Sequence, residues 1–319
     1  MMKRLFVFIL LSIPLLLFFV ACIDNTKEDT LFLYDTIVNI KINGENEDLK
    51  EVEKILELYD KLSDNYKEHK DVNNIYSINK KRSLECSYEL IELLNYSLEM
   101  KEKTQGYFNP LIGKVAFLYK ELINEERTYN QEFIDEVNSE LDKMNNSSIT
   151  IEDNLVTING EADIDLGAIA KGFALKKVKE YLDNKGIKNY LINAGSSSII
   201  MGEKSNNEYY KVGLKNYTDR VFLMKNKSLG TSSIFEQSIT IDGKLFSHII
   251  NPFTGLPSNL YDTIYLIGDD PALIDAFTTA LFSLELDDIK TITSKYNLDY
   301  VIYKDNQKVA SSSEGDTYD

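Results

Sequence analysis

Cysteine and histidine are scarce in this 319-residue chain and positive charge is outnumbered, and each shortage removes a class of explanation. The two cysteines are Cys22 and Cys86. With Cys22 committed to a lipid, as argued below, Cys86 has nothing to pair with and reads as packing, so an exported protein of this kind relies on its core and not on disulfides. Lys and Arg number 35 against 51 Asp and Glu, a net charge of −16 that no basic patch interrupts. Such a surface repels phosphate backbones, and nucleic acid is not expected as a partner. Of the two histidines, His69 sits in the charged run Lys67-Glu68-His69-Lys70-Asp71, a solvated loop with no expected role. No repeat or linker forces a second domain. Strands and helices are mixed without regular βαβ alternation, which predicts an α+β fold and not a doubly wound sheet.

What is present begins with apolar matter. Hydrophobic residues make up 43% of the chain, enough for one large core or two modest ones. Met1-Met2-Lys3-Arg4 leads into an almost unbroken apolar run from Leu5 to Val20, then Ala21-Cys22. This reads as a signal peptide over residues 1–21, closing on a lipobox-like junction in which Cys22 becomes the lipidated first residue, with Phe19 where Leu is usual. An uncleaved anchor is the other reading, since the run is slightly short of the ~20 residues that span a bilayer. Either way the remainder is expected on the extracytoplasmic face of the cell membrane. Residues 22–30 read as a tether, 31–309 as the folded domain and 310–319 as a mobile tail.

Within the domain, Leu31–Ile42 alternates like a strand, and Leu49, Val52, Ile55, Leu56, Tyr59 and Leu62 recur at helical spacing. Further helices are expected over about Ser87–Lys103 and Glu132–Met144, with a loop at Gly106-Tyr107-Phe108-Asn109-Pro110 between them. A hairpin is expected around Glu152-Asp153-Asn154, a helix running to about Asp183 and closed by Gly186, and a strand at Tyr190–Ile192. Asp242-Gly243 predicts a tight turn between two strands of Ser238–Ile250. Asp270-Pro271 opens a helix with a capping carboxylate and a proline at its first position. One more helix and a strand over Leu298–Tyr303 complete the pattern.

Three segments carry chemistry. Asp163-Ile164-Asp165-Leu166-Gly167-Ala168-Ile169-Ala170-Lys171-Gly172 stands at a strand-to-helix junction, where glycines let backbone approach a ligand and a helix N-terminus favours an anion such as a pyrophosphate. Taken alone, Asp165 could simply cap the helix. Asp275 and Thr279 stand at i and i+4 on the later helix, so their oxygens share a face, and hard oxygens suit Mg²⁺; alone, the pair could serve the helix itself. His248, in Ser247-His248-Ile249-Ile250-Asn251-Pro252, ends a strand before a Pro/Gly turn, a place for a proton carrier or for a packed strand residue.

Taken in order, these segments resemble the FAD:protein FMN transferase (ApbE) family over essentially the whole mature chain. The matching segments are Tyr34-Asp35-Thr36, Asp60 to Tyr66 with Ile78-Asn79, Gly106 to Pro110 with Gly113, the run through Lys171-Gly172, Asn193-Ala194-Gly195, Gly230-Thr231-Ser232, His248 to Pro257 and Asp275 to Thr279. The resemblance implies a T-fold-like single catalytic domain. It implies FAD held by Tyr34, Tyr66, Tyr107, Phe108, Asn109, Asp165, Lys171 and His248, and Mg²⁺ taken by the backbone oxygen of Ala168 with Asp275 and Thr279. It implies that His248 acts as base while FMN passes to a threonine of an acceptor, a redox-pump subunit or extracytoplasmic flavoprotein, with AMP released. Asn109 stands where the family often has Asp, Ser196-Ser197 replace Gly-Asp, and Ser233 and Phe235 replace Gly and Tyr. Two other readings stay open: a FAD pyrophosphatase, if water replaces threonine, and a flavin-binding lipoprotein without turnover.

Overall fold

A computed structural model describes residues 25–204, 208–214, 217–313 and 315–318. The apolar run read as a signal peptide and Cys22 lie outside the described residues. The frame is an eight-stranded antiparallel sheet in the order β1 (Thr26–Leu33), β2 (Thr36–Asn43), β6 (Tyr190–Ala194), β7 (Ser198–Met201), β10 (Ser228–Ser233), β13 (Thr263–Gly268), β14 (Asp299–Lys304) and β15 (Gln307–Ser311). Helices α1 (Asn46–Ser63), α6 (Ala170–Asn184) and α7 (Pro271–Leu281) pack on one face. A small sheet of β8 (Tyr210–Leu214), β9 (Tyr217–Met224) and β16 (Thr317–Tyr318) covers part of the other.

Period-two alternation explains why both layers are needed. In β13, Ile264 and Leu266 join the helix-side core, while Tyr265 and Ile267 join the core beneath the small sheet. All six residues of that strand are buried. In β2, by contrast, Val38, Ile40 and Ile42 are buried and the residues between them exposed, so one face meets water. A third cluster joins α4 (Gly113–Ile123) and α5 (Gln131–Asn145) to Phe246 of β12 (Lys244–Ser247), and places β12 and the His248 that follows it against α4.

Several elements match their sequence signals. Asp270 caps α7, its side chain accepting from the N–H groups of Ala272 and Leu273. Gly186, at φ 70°, ends α6, and β11 (Ser238–Ile241) pairs with β12 across Asp242-Gly243.

Others are corrected. The single strand expected from Leu31 is a hairpin, with Tyr34 and Asp35 in the left-handed region at φ 54° and 55°. Its first strand starts at Thr26, inside the stretch read as tether. Ala310 and Ser311, expected in a mobile tail, pair with Ile302 and Val301, and Thr317 pairs with Leu223. His69 is not a solvated loop residue: its Nε2–H donates to Asp64 at 2.9 Å, and the ring is largely buried. Helices α2 (Ile75–Lys81) and α4, and strands β7 to β10, had no expected counterpart.

Candidate functional site

A cleft of about 290 Å³ gathers the loop before α6, the opening turns of α7, the end of β10, the residue after β12 and one side of α4. Asp165, Ala168, Lys171, His248, Asp275 and Thr279 all line it, together with Tyr66 at its rim. Residues as far apart in sequence as Tyr66 and Thr279 thus meet in one cleft.

The loop before α6 is held by its neighbours. Asn79 grips the backbone of Ile164 twice, donating to its carbonyl at 2.9 Å and accepting its N–H at 2.7 Å. Gly113 donates to the Asp163 carbonyl, and Asp165 N–H donates to Pro110. The Asp165 side chain then accepts from Gly167 N–H at 2.7 Å and from Asn65 at 2.8 Å. Burial pushes its carboxyl above the ordinary range, opposed by those two hydrogen bonds and by Lys120. The Lys120 ammonium sits 3.6 Å from the centre of the Tyr66 ring, a cation–π contact at the cleft edge.

Asp275 is tied into the same corner from α7. It is 7% exposed, and its Oδ2 accepts Gly172 N–H at 2.7 Å while Oδ1 accepts Ser198 Oγ–H at 2.6 Å. Burial raises its pKa, with Lys171 and the two hydrogen bonds pulling the other way. Gly172 makes the approach possible, because a Cβ there would lie 2.3 Å from the Pro271 carbonyl and 2.7 Å from Asp275 Cβ.

One consequence bears on ligands. Gly172 N–H, which in a regular helix would close on the Ala168 carbonyl, is turned to Asp275. Ala170 N–H and Phe173 N–H are also taken, by the carbonyls of Leu166 and Ile169. The helix mouth expected to receive an anion is largely occupied by the protein's own acceptors, and the side chain of Lys171 supplies positive charge in its place. Ala168, Asp275 and Thr279 line the cleft together, and a backbone carbonyl, a carboxylate and a hydroxyl would make an all-oxygen donor set of the kind that suits Mg²⁺. Thr278 turns away, its hydroxyl donating to the Asp275 carbonyl at 2.8 Å, whereas Thr279 keeps only a 3.5 Å contact with Ser232. Among the described residues no three His, Cys, Asp or Glu side chains cluster as metal ligands. A cation here would hold one carboxylate and need phosphate or water oxygens for the rest, as Mg²⁺ usually does.

His248 faces this corner. Its Nδ1 lies 3.1 Å from the Gln237 carbonyl, which can only accept, so Nδ1 carries the hydrogen and Nε2 is left with its lone pair. Burial lowers the ring's pKa, with the Gln237 carbonyl and Glu236 opposing and Lys171 reinforcing. The imidazole is thus a neutral base at neutral pH.

Other members of the expected flavin set lie apart. Tyr34 buries its hydroxyl against the Leu56 carbonyl at 2.8 Å. Tyr107 packs edge-on to Phe253, Phe108 is 3% exposed, and Asn109 accepts Leu111 N–H within its own loop. None of these four lines the cleft. Ser197, Ser198, Glu236 and Gln237 also line or brace it and carry no sequence signal of function beyond their place beside matched segments, whereas Thr231 lies within the matched Gly230-Thr231-Ser232.

The ApbE family model matches residues 34–302, which contain every cleft residue named here. The chain belongs to the ApbE family. It is 24% identical over 260 residues to an FAD:protein FMN transferase of Buchnera aphidicola, covering 77% of this chain and 76% of that one. It is 30% identical over 159 residues to one of Klebsiella pneumoniae, covering 47% and 48%. Among solved structures, the ApbE protein of Thermotoga maritima superposes with a TM-score of 0.73 at 22% identity, covering 87% of this chain and 94% of that one. The flavin transferase ApbE of Vibrio cholerae does so at 0.71 and 20%, covering 90% and 98%. These likenesses place the mixed helix-and-sheet architecture with the ApbE fold.

Proposed function

We propose that this ApbE-family chain transfers FMN from FAD to a threonine hydroxyl of an acceptor protein, releasing AMP, with Mg²⁺ held by Asp275, Thr279 and the Ala168 carbonyl. Family membership and relatives named FAD:protein FMN transferase support flavin transfer. The observation that carries the finer reading is the meeting of a hard oxygen donor set with the free Nε2 of His248 in one cleft.

Each residue then has a task. Lys171 meets the negative pyrophosphate at the opening of α6, and Tyr66 with Lys120 offers an aromatic and cationic rim. Bound Mg²⁺ would neutralise charge on phosphate oxygens. Nε2 of His248 takes the proton of the acceptor hydroxyl as its oxygen bonds to the FMN phosphorus. The bond from that phosphorus to the bridging oxygen breaks, and AMP leaves with it. A hydroxyl is a poor nucleophile near neutral pH, so a neutral, oriented imidazole is what the step requires.

Incubation of the protein with FAD and Mg²⁺, with and without a candidate acceptor, tests this. AMP together with flavin that stays on the acceptor after denaturation is the expected result. AMP with free FMN alone would mark a pyrophosphatase, and no AMP a binding protein. Attachment to the extracytoplasmic face of the membrane through Cys22 belongs to the same proposal, supported by the apolar run before it. Cys22→Ser should release an active protein from the membrane; retention after processing would overturn the anchor.

A further inference from the structure

A second cavity, of about 170 Å³, lies beside the cleft, between β8 of the small sheet and the face of the large sheet built by β6, β7, β10 and β13. Thr231 and Glu236 line both spaces, so the two share a wall. Five aliphatic side chains, Leu191, Ile199, Val212, Leu214 and Leu229, form one part of its wall. Polar side chains interrupt them: Asn193, Lys211, Glu236 and four hydroxyls, two of which lack partners. Thr231 and Tyr265 stand directly opposite each other in the β10–β13 register, so both side chains leave the same face of the sheet. Thr231 Oγ1 and Tyr265 OH are fully buried and have no hydrogen-bond partner, and Tyr265 as a whole is 2% exposed. Native proteins keep few such groups, and each calls for an explanation. A segment that enters the cavity and offers its own polar atoms supplies one.

Size decides what kind of group fits. A cavity of about 150 Å³ holds a benzene ring, whereas sites for larger organic ligands run to about 300–1,000 Å³. This space takes one side chain and is too small for a flavin or an adenosine. Position decides whose side chain it is. Glu236, in the shared wall, precedes Gln237, whose carbonyl orients His248. A chain with one residue seated here runs along the wall that the cavity shares with the His248 cleft.

Resting on the transferase reading above, we propose that this cavity is the subsite for one side chain of the acceptor polypeptide, a mainly apolar residue of about leucine or phenylalanine size flanking the hydroxyl that receives FMN. The hydroxyls of Thr231 and Tyr265 bind polar atoms of that same segment, and the aliphatic walls select the side chain by shape. The cavity therefore sets which threonine of an acceptor is modified, separately from the groups that hold FAD.

The test uses the full chain, FAD and Mg²⁺ with a library of nine-residue peptides, each bearing one central threonine and varied flanking residues, read by mass spectrometry for added FMN. Wild type should prefer leucine- or phenylalanine-sized residues at one flanking position. Val212→Phe, which fills the cavity, should shift that preference to glycine or alanine by roughly 10-fold or more, the scale of one methylene in an apolar pocket, with FAD binding and acceptor-free AMP release unchanged. Tyr265→Phe, which removes one oxygen and keeps the fold, should raise KM for the preferred peptides with kcat retained. A folded Val212→Phe variant with the wild-type peptide profile overturns the subsite, and so does one whose FAD binding is lost. An unchanged KM in Tyr265→Phe also counts against it. If wild type labels no peptide and no protein acceptor, the transferase reading itself falls, and the subsite with it.

Discussion

Gly172 N–H donates to Asp275 Oδ2 at 2.7 Å, a bond that joins the first turn of α6 to α7 across the closest approach of the two helices. Gly172→Ala should break this corner. Alanine gains about 1 kcal/mol of helix propensity over glycine, but its Cβ would lie 2.3 Å from the Pro271 carbonyl, and overpacking of that kind costs about 1–3 kcal/mol. The clash prevails. Denaturant midpoints should fall and AMP release should be lost with them; an alanine variant of wild-type stability and turnover would show that the helices can part at no expense to the site.

Asp275→Asn separates charge from structure at the same corner. The amide can accept from Gly172 N–H through its oxygen and donate to Ser198 Oγ through its nitrogen, so both hydrogen bonds survive. Burial already disfavours the charge, so folding stability without Mg²⁺ should change by no more than about 1 kcal/mol. Turnover should fall by about 10²-fold or more, as expected when a focused electrostatic group is removed. Mg²⁺ should raise the thermal midpoint of the wild type with FAD, and that rise should vanish in the variant. Persistence of that rise in the variant would remove Asp275 from the ligand set.

What could be read beforehand divides along physical lines. The cap at Asp270-Pro271, the turn at Asp242-Gly243 and the amphipathic run of α1 are local, and each stands where its residues predict. Strand β10 gives little signal because five of the six residues of Ser228–Ser233 are small and the strand is largely buried on both faces, so it shows no alternation; Gly230 is there because Ile274 of α7 would lie 2.3 Å from a Cβ. The i,i+4 pair Asp275 and Thr279 was legible as a shared helix face. The partners that give it meaning were not, since Ser198 and Gly172 reach Asp275 from 77 and 103 residues away. The T-fold-like architecture came from resemblance alone, because no periodicity encodes the order of strands in a sheet.

Ser196 offers a test of strain beside the site. It occupies the left-handed region at φ 62° next to Gly195 at φ 67°, where the family has a second glycine. Holding an L-residue there costs about 1–2 kcal/mol, and glycine returns part of that gain through the greater freedom of its unfolded chain. Ser196→Gly should therefore stabilise the fold by about 0.5–1 kcal/mol, read as a higher midpoint in urea. The backbone bond from residue 196 N–H to Asn193 Oδ1 does not need the side chain and should persist. A lower midpoint would mean that the serine hydroxyl does more than the backbone strain takes away.

His248→Ala should abolish transfer to the acceptor while FAD still binds, because Lys171, Asp165 and the oxygen donors remain in the cleft. General-base help is worth about 10²–10⁴-fold, so the deficit should be large. The pH profile carries the sharper distinction. The ring's pKa is lowered, chiefly by burial, so its neutral form persists below the ordinary value of about 6.5. Protonation removes the lone pair on Nε2, and the wild-type rate should therefore stay level through pH 7 and fall only on the acid side of that ordinary value. The variant's residual rate should lack this limb. His248→Gln, which can keep the contact with the Gln237 carbonyl but holds no base, should behave as the alanine variant does. Full transfer by either variant with the wild-type profile would return His248 to a packing role beside β12.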